Sequence, residues 1–485
     1  MQTPAPAVGT ASSQEGRAFR AELTPEAPGL PGHLLLLEED GVTLLGQVLA
    51  LADGGRQADG VLVGRVDDGR LHRGGRTILS DALVRPVRAE QALALQHATG
   101  ASLEVGAWRL DGVDVPLTLR PGGFNRHTLL CGQSGSGKTY ALGVLLEQLI
   151  LHTSLPMVVL DPNGDFVHLG SPREEAPPGP AQRIRDSGVR VLRADGAGAA
   201  ALRVRFVDLP PHGQAAVLAL HAVRDRGEYS QWLHLDLTGS GRSVLEVIAG
   251  LLAGSDDERA LGQRIENLGV GSWQVWPFTG LAAEPEGAPI EPVLPDGDGV
   301  TVLDVSGFGD PAEPLVVALD VVERLWARRE SRRPTLLVID EAHNICPAEP
   351  RSDLQAAVTE RLVQIAAEGR KYGIWLLVST QRPSKVHPQV VSQCDNLVLM
   401  RMNSPADLED LGRLFGFAPP AMLATSPNFS QGEMLLAGTF VPVPSLGRVG
   451  ARLTAEGGSD VSVPVGARST PGGDQPDTSG GPAPD

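Results

Sequence analysis

The sequence predicts an α/β protein: a parallel-dominated sheet with helices on both faces, interrupted by a helical insertion and preceded by a small β-barrel. Three observations carry this expectation. From His33 to Leu119 short apolar runs follow one another between Gly and Asp turns, a spacing that suits a small antiparallel barrel. After Pro121-Gly122-Gly123 short buried runs alternate with longer helical stretches, the arrangement that yields a parallel sheet. Between the second and third of those runs lies a long span of helical pattern bracketed by loops rich in Pro and Gly.

Residues 1–30 mix Pro, Ala, Ser, Gln and Glu without hydrophobic periodicity and are expected to be a disordered tail. Residues 31–119 are expected to form the barrel, with strands at Leu34–Leu37, Val42–Val48, Val61–Val66, Thr77–Val84, Leu103–Leu110 and Val113–Leu119 and a helix at Ala89–His97. Residues 120–455 carry the sheet, with strands expected at His127–Cys131, Met157–Asp161, Val300–Val305, Leu336–Asp340, Ile374–Thr380 and Asn396–Met400. The insertion, about 170–298, is expected to hold helices at Gly213–Arg226, Val244–Ala253 and Asp257–Leu268. Three of the six Trp (Trp232, Trp273, Trp276) fall inside it and are expected to pack its small core. Residues 456–485, rich in Gly, Pro, Ser, Thr and Asp, are expected to form a mostly disordered end.

Composition bounds the function. With 485 residues, 42% of them hydrophobic, the chain builds a core of ordinary size. No apolar run approaches the ~20 residues that span a bilayer, and Met1–Ala21 has no basic start followed by an apolar run, so a cytoplasmic protein without membrane contact is expected. The three cysteines, Cys131, Cys346 and Cys394, are too scattered for a disulfide framework or a zinc site. A net charge of −17 excludes binding of nucleic acid by general basicity, though not by a basic channel. Aromatic residues at 4% leave little material for stacking on bases. Of 41 basic residues only Lys138, Lys371 and Lys385 are lysine, so a retained lysine is informative.

One lysine stands in Gly132-Gln133-Ser134-Gly135-Ser136-Gly137-Lys138-Thr139, which satisfies G-x-x-x-x-G-K-[ST] between an expected strand and an expected helix. The glycines let successive N–H groups curl around a β-phosphate, and the helix N-terminus adds its positive dipole. Lys138 reaches the β and γ oxygens, and the Thr139 hydroxyl binds Mg²⁺. With 58 glycines but three lysines in the chain, chance predicts on the order of 0.01 such matches. Leu336–Ile339 leads into Asp340-Glu341-Ala342-His343, an apolar strand ending in two acids: Asp340 to hold the Mg²⁺ and Glu341 to polarise the attacking water. Gln381, in Thr380-Gln381-Arg382, is placed either to contact the γ-phosphate and water or in a plain polar turn. Asp161 ends another strand on the same edge, either as an acid backing the metal site or as the opener of an Asx turn.

Arg370 precedes its strand, whereas ligands in such sheets bind at strand C-termini. A strand of roughly 20 Å, at ~3.3 Å per residue, separates it from that edge. It is therefore either a surface ion-pair residue or an arginine finger presented to a neighbour's nucleotide, and Arg126 meets the same condition. No N-K-x-D element for guanine occurs, which disfavours a GTPase.

Together these motifs resemble the HerA branch of the HerA–FtsK ATPases, across about Gly123 to Arg448. The residues that carry the resemblance are Arg126-His127, Gly132–Thr139, Leu160-Asp161-Pro162-Asn163-Gly164-Asp165, Val338–Asn344, Gly369–Ile374, Ser379–Ser384, Ser392-Gln393-Cys394 and Arg401-Met402-Asn403. The resemblance implies a RecA-like P-loop ATPase domain and an N-terminal barrel like the HAS-barrel. It implies ATP and Mg²⁺ as cofactors and a homo-hexameric ring in which Arg370, with Arg126, completes the neighbouring site. It also implies DNA, in particular duplex ends, as the substrate of translocation, and a NurA-like nuclease as partner. Two alternatives stay open: a conjugation- or packaging-type DNA motor, and an ATP-gated scaffold for a defence or nuclease effector.

Overall fold

The computed structural model describes residues 6–25, 31–67, 70–72, 76–110, 113–197, 200–235, 244–277, 293–294 and 299–458. The chain begins with a barrel. Its strands are β1 (Gly9–Ser13), β2 (Ala18–Leu23), β3 (Leu34–Glu39), β4 (Val42–Ala52), β5 (Gln57–Asp67), β6 (Arg70–His72) and β7 (Leu79–Pro86). They run in the order β2-β1-β7-β3-β4-β5, and an antiparallel β2–β5 pairing closes the ring, leaving β6 outside on β5. Phe19 fills the interior: a Cβ on Gly60 would lie 2.4 Å from its ring, so glycine is what admits it.

Two expectations are corrected here. The supposed tail supplies β1 and β2, and β2 alternates outward Ala18, Arg20 and Glu22 with buried Phe19, Ala21 and Leu23. The last two expected barrel strands, β8 (Leu103–Leu110) and β9 (Val113–Leu119), belong instead to the large sheet, because β8 pairs with β18 (Ser445–Val449). Helix α1 (Ala89–Ala98) packs on β9, its Gln96 side chain accepting from Thr118 N at 2.7 Å. Residues 1–5 and 26–30 of the expected tail lie outside the described residues, as does 459–485 of the expected disordered end.

The remaining strands of the large sheet are β10 (His127–Cys131), β11 (Met157–Asp161), β12 (Arg190–Arg193), β13 (Val300–Asp304), β14 (Thr335–Ile339), β15 (Ile374–Thr380), β16 (Cys394–Leu399) and β17 (Glu433–Gly438). The order is β12-β13-β11-β14-β15-β10-β16-β17-β18-β8-β9. Pairings from β12 to β16 are parallel and those from β16 to β9 antiparallel. The central parallel strands β10, β11, β14 and β15 are buried on both faces, whereas β12 at the edge buries only Leu192. Leu129, Leu160, Ile339 and Val378 join one apolar cluster, and Leu130, Val159, Val338 and Leu377 the other, the period of two that a strand imposes.

Helix α2 (Lys138–His152) follows β10 and covers the second of these faces. The insertion begins with α3 (Pro178–Asp186) and then, against expectation, gives β12 to the sheet edge. Its expected helix at Gly213–Arg226 is cut short: α4 (Pro211–Val217) ends before Ala219, whose φ is +48°, and an unexpected helix, α5 (Arg226–His234), starts where the expected one was to stop. Helices α6 (Val244–Leu252) and α7 (Asp256–Leu268) complete it, α7 opening with a Ser255–Glu258 capping box. Trp232 and Trp276 are buried in its core, and Trp273 stacks on Trp276 at 6.1 Å. Helices α8 (Glu313–Ala327) and α9 (Asp353–Glu368) cover the first face. Among the described residues no helix is long and apolar enough to cross a membrane.

Candidate nucleotide site

The strand order sets the site. Strand β15 lies between β10 and β14, so the loop after β10, the acids after β14 and the polar residues ending β15 leave the sheet at one edge, side by side. Gly135 and Gly137 hold φ of +72° and +92°, a conformation that favours glycine, and turn Gly132–Thr139 into a cradle at the start of α2. No side chain caps α2 and no acid lies in its first turn, which leaves the helix N-terminus free for an anion. The loop is braced from β16: Gln133 N–H donates to the Arg401 carbonyl at 2.9 Å, Arg401 Nη2 donates to Gly135 O at 3.2 Å, and Asn403 N–H donates to Gln133 Oε1 at 3.2 Å.

Lys138, Asp340 and Glu341 are 5%, 0% and 6% exposed, a burial that charged groups tolerate only when paired. Lys138 Nζ donates to Asp340 Oδ1 at 2.8 Å and lies 3.0 Å from Glu341 Oε1. Burial works to lower the lysine's pKa, but the two carboxylates outweigh it and raise the value, so the ammonium is kept charged. Ser379 completes the triangle, accepting from Lys138 at 3.1 Å and donating to Asp340 Oδ1 at 2.6 Å. Gln381 Nε2 donates to Glu341 Oε1 at 2.8 Å. His343 Nδ1 lies 3.3 Å from Glu341 Oε2 and shares a hydrogen bond with Thr380 Oγ1 at 3.1 Å. Glu341 itself has φ +44°, a left-handed backbone that costs a non-glycine residue about 1–3 kcal/mol and concentrates at functional sites.

The Mg²⁺ expectation meets a fitting donor set. Asp340 Oδ2 is buried without a hydrogen-bond partner, Thr139 stands in the first turn of α2 next in sequence to Lys138, and both donors are oxygen. Among the described residues no group of three or more His, Cys, Asp or Glu forms a metal cage.

Asp161 resolves toward the turn. Its carboxylate accepts the N–H groups of Asn163 (3.3 Å), Asp165 (3.0 Å) and Phe166 (2.8 Å), and burial pushes its pKa up to about 7 against the pull of the last two. The acid that turn delivers is Asp165. Burial raises the Asp165 pKa, the charge of Asp340 adds to the rise, and Lys138 opposes it. Sequence reasoning passed over Asp165 and Ser379. Ser379 was within reach, since it is the next-to-last residue of the strand whose end leads into Gln381.

Arg370 and Arg126 occupy the opposite edge. Arg370 Nη1 donates to Asp395 Oδ2 at 2.5 Å, and Arg126 Nε lies 3.5 Å from the same oxygen. Two guanidinium groups thus share one carboxylate, with Arg370 and Arg126 side chains 35% and 42% exposed. Beneath them His127 is fully buried. Its Nδ1 accepts from Leu376 N–H at 2.9 Å, which leaves Nε2 to donate to Ala366 O at 3.0 Å and ties β10 to β15 and α9, the elements that flank the turn carrying Arg370.

Burial, followed by the charges of Arg370 and Arg126, lowers the His127 pKa to about 4. Because the folded value lies below the unfolded 6.5, the unfolded chain takes up its proton first as pH falls. Stability owed to this group is constant above pH 6.5 and declines between 6.5 and about 4, by about 3 kcal/mol in all. Denaturant midpoints should therefore drop between pH 7 and 5, and His127→Asn should flatten that slope. An unchanged slope in the variant would assign the pH dependence to other groups.

Residues 103–236 match the family model described as "Helicase HerA, central domain". The chain is 22% identical over 410 residues to the "DNA double-strand break repair helicase HerA" of Pyrococcus furiosus, covering 70% of this chain and 69% of that one. It is also 22% identical to the "Probable helicase MJECL08" of Methanocaldococcus jannaschii, over 69% and 68% of the two chains. Among solved structures, VirB4 of Thermoanaerobacter pseudethanolicus superposes with a TM-score of 0.46 at 17% identity, over 73% of this chain and 97% of that one. The family match over residues 103–236 and these two helicase relatives support a HerA-type ATPase.

Proposed function

We propose that the protein is an ATP-hydrolysing, ring-forming DNA motor of HerA type, acting on duplex ends together with a nuclease. The observation that supports it best is the buried Lys138–Asp340–Glu341 constellation at the mouth of the glycine loop. Gly132–Gly137 and the N-terminus of α2 bind the β-phosphate through backbone N–H groups, and Lys138 moves from the carboxylates to the β and γ oxygens. Thr139 and Asp340 would hold Mg²⁺, which when bound neutralises phosphate charge. Glu341 accepts the proton of the attacking water, and Gln381, already hydrogen-bonded to it at 2.8 Å, orients that water. The relatives named as helicases support DNA as the substrate. The half-buried Arg370–Arg126 pair at the far edge supports a site completed by a neighbouring subunit.

Lys138→Ala should abolish ATP binding measured by calorimetry, since the variant removes the buried cation and leaves two acids facing the phosphates. Undiminished affinity would overturn the site. For the motor itself, ATPase activity should rise on adding duplex DNA ends, with a particle mass of several chains. A monomer indifferent to DNA would refute that part of the reading.

A further inference from the structure

After β18 the chain does not leave the fold. Residues 450–458 cross the outer side of α2 and end at the turn that follows β11. Glu147 of α2, 1% exposed, accepts the N–H groups of Leu453 and Thr454, both at 2.8 Å, and the Thr454 hydroxyl at 2.6 Å. Arg452 runs between helix and turn with its side chain fully buried. Its N–H donates to Tyr140 Oη at 2.7 Å, its Nε lies 3.7 Å from Glu147 Oε1, its Nη2 donates to Asp165 O at 3.3 Å, and its guanidinium lies 5.5 Å from the Phe166 ring centre. Gly143 makes room for it, since a Cβ there would fall 2.5 Å from Arg452 Nε. Beyond it, Gly457 N–H donates to Asp165 O at 3.1 Å.

A buried arginine is costly unless it is paired; Arg452 Nη1 makes no hydrogen bond but lies 3.3 Å from Glu456 Oε1, and the remaining contacts join the two elements that frame the nucleotide cradle. Tyr140, Gly143 and Glu147 lie on the helix that Lys138 begins. The turn of Gly164–Phe166 leaves β11 beside Asp340, whose N–H donates to Leu160 O at 3.2 Å.

We propose that residues 450–458 are a clasp, keyed by Arg452, that fixes the Asp165 turn against the P-loop helix, so that Arg452 is a positioning residue of the nucleotide site. The proposal rests on the ATP-hydrolysing reading of that site. Arg452 touches no nucleotide; it acts by holding Asp165 next to the Lys138–Asp340 pair.

Gly457→Ala tests this without unpairing a buried charge, because its Cβ would fall 1.8 Å from Gly164 O and must lift the end of the clasp. The full chain is used, with ATP and Mg²⁺, alongside Asp165→Asn, the double variant and Arg452→Met. Gly457→Ala should lower kcat about tenfold with KM changed less than about threefold, and the double variant should be no slower than Asp165→Asn alone. Hydrogen exchange of residues 161–166 should quicken in Gly457→Ala, a readout independent of turnover. Wild-type kcat in Gly457→Ala, additive losses in the double variant, or unchanged exchange would each overturn the proposal, whether or not Arg452→Met folds. A wild type that hydrolyses no ATP would refute the enzymatic reading instead, and the exchange result would still decide whether the clasp holds the turn.

Discussion

Glu341→Gln should bind ATP as the wild type does and hydrolyse it 10²–10⁴-fold more slowly, the range that a positioned general base contributes. The geometry explains why the two effects separate. Glu341 meets Lys138 at 3.0 Å and Gln381 at 2.8 Å through one oxygen, Oε1, and an amide oxygen can accept from both. Shape and contacts are preserved, while the ability to take a proton from water is lost. Removing one of the two carboxylates that hold Lys138 also frees the ammonium for phosphate, so affinity should not fall. The left-handed backbone at Glu341, φ +44°, aims the side chain whichever head group it carries. Single-turnover hydrolysis alongside equilibrium binding distinguishes the outcomes. A variant that turns over at the wild-type rate would show that another group activates the water, and His343, 3.3 Å from Glu341 Oε2, would be the next to test.

What the sequence disclosed and what it hid follow from how far apart in the chain each contact lies. Strands β10, β11 and β15 coincide with their expected limits because five to seven consecutive residues, buried on both faces, leave a local signature. The glycine loop is equally local, being eight contiguous residues whose chemistry is in their order. β1 is Gly9-Thr10-Ala11-Ser12-Ser13, with no large apolar side chain, and becomes a strand only by pairing on both sides, Ala11 lying opposite Ala21 of β2 and Ala82 of β7. The β8–β9 hairpin is legible as a hairpin, yet its membership of the large sheet depends on Gly447 lying opposite Trp108. At the site, Lys138, Asp340, Glu341 and Gln381 were legible because each ends or follows a recognisable strand. Asp165 was hidden because Asp161, four residues earlier, has the more conspicuous place at the strand end and spends its carboxylate on backbone N–H groups.

Arg370→Ala should bind ATP normally yet hydrolyse it 10³–10⁵-fold more slowly in the assembled protein, the range for loss of an arginine finger. The expectation comes from its place at the edge of the sheet opposite Lys138, with all seven residues of β15 between the Arg370 turn and Gln381. At ~3.3 Å per residue that is roughly 20 Å, beyond the reach of a guanidinium. Within the chain its partner is Asp395, which Arg126 shares, so two cations face solvent with one carboxylate between them. His127 fixes the turn below through Leu376 and Ala366, which keeps the pair presented outward. If the finger acts on a neighbour, Lys138→Ala subunits, dead on their own, still carry an intact Arg370. Mixed with Arg370→Ala subunits they should restore part of the activity, because an active interface needs one sound cradle and one sound finger. Steady-state ATPase of the two variants, separately and mixed, with mass photometry to establish co-assembly, measures this. Co-assembled mixtures that stay inactive, or a wild type that hydrolyses ATP efficiently as a monomer, would return Arg370 to the role its Asp395 contact already gives it, that of a surface ion pair.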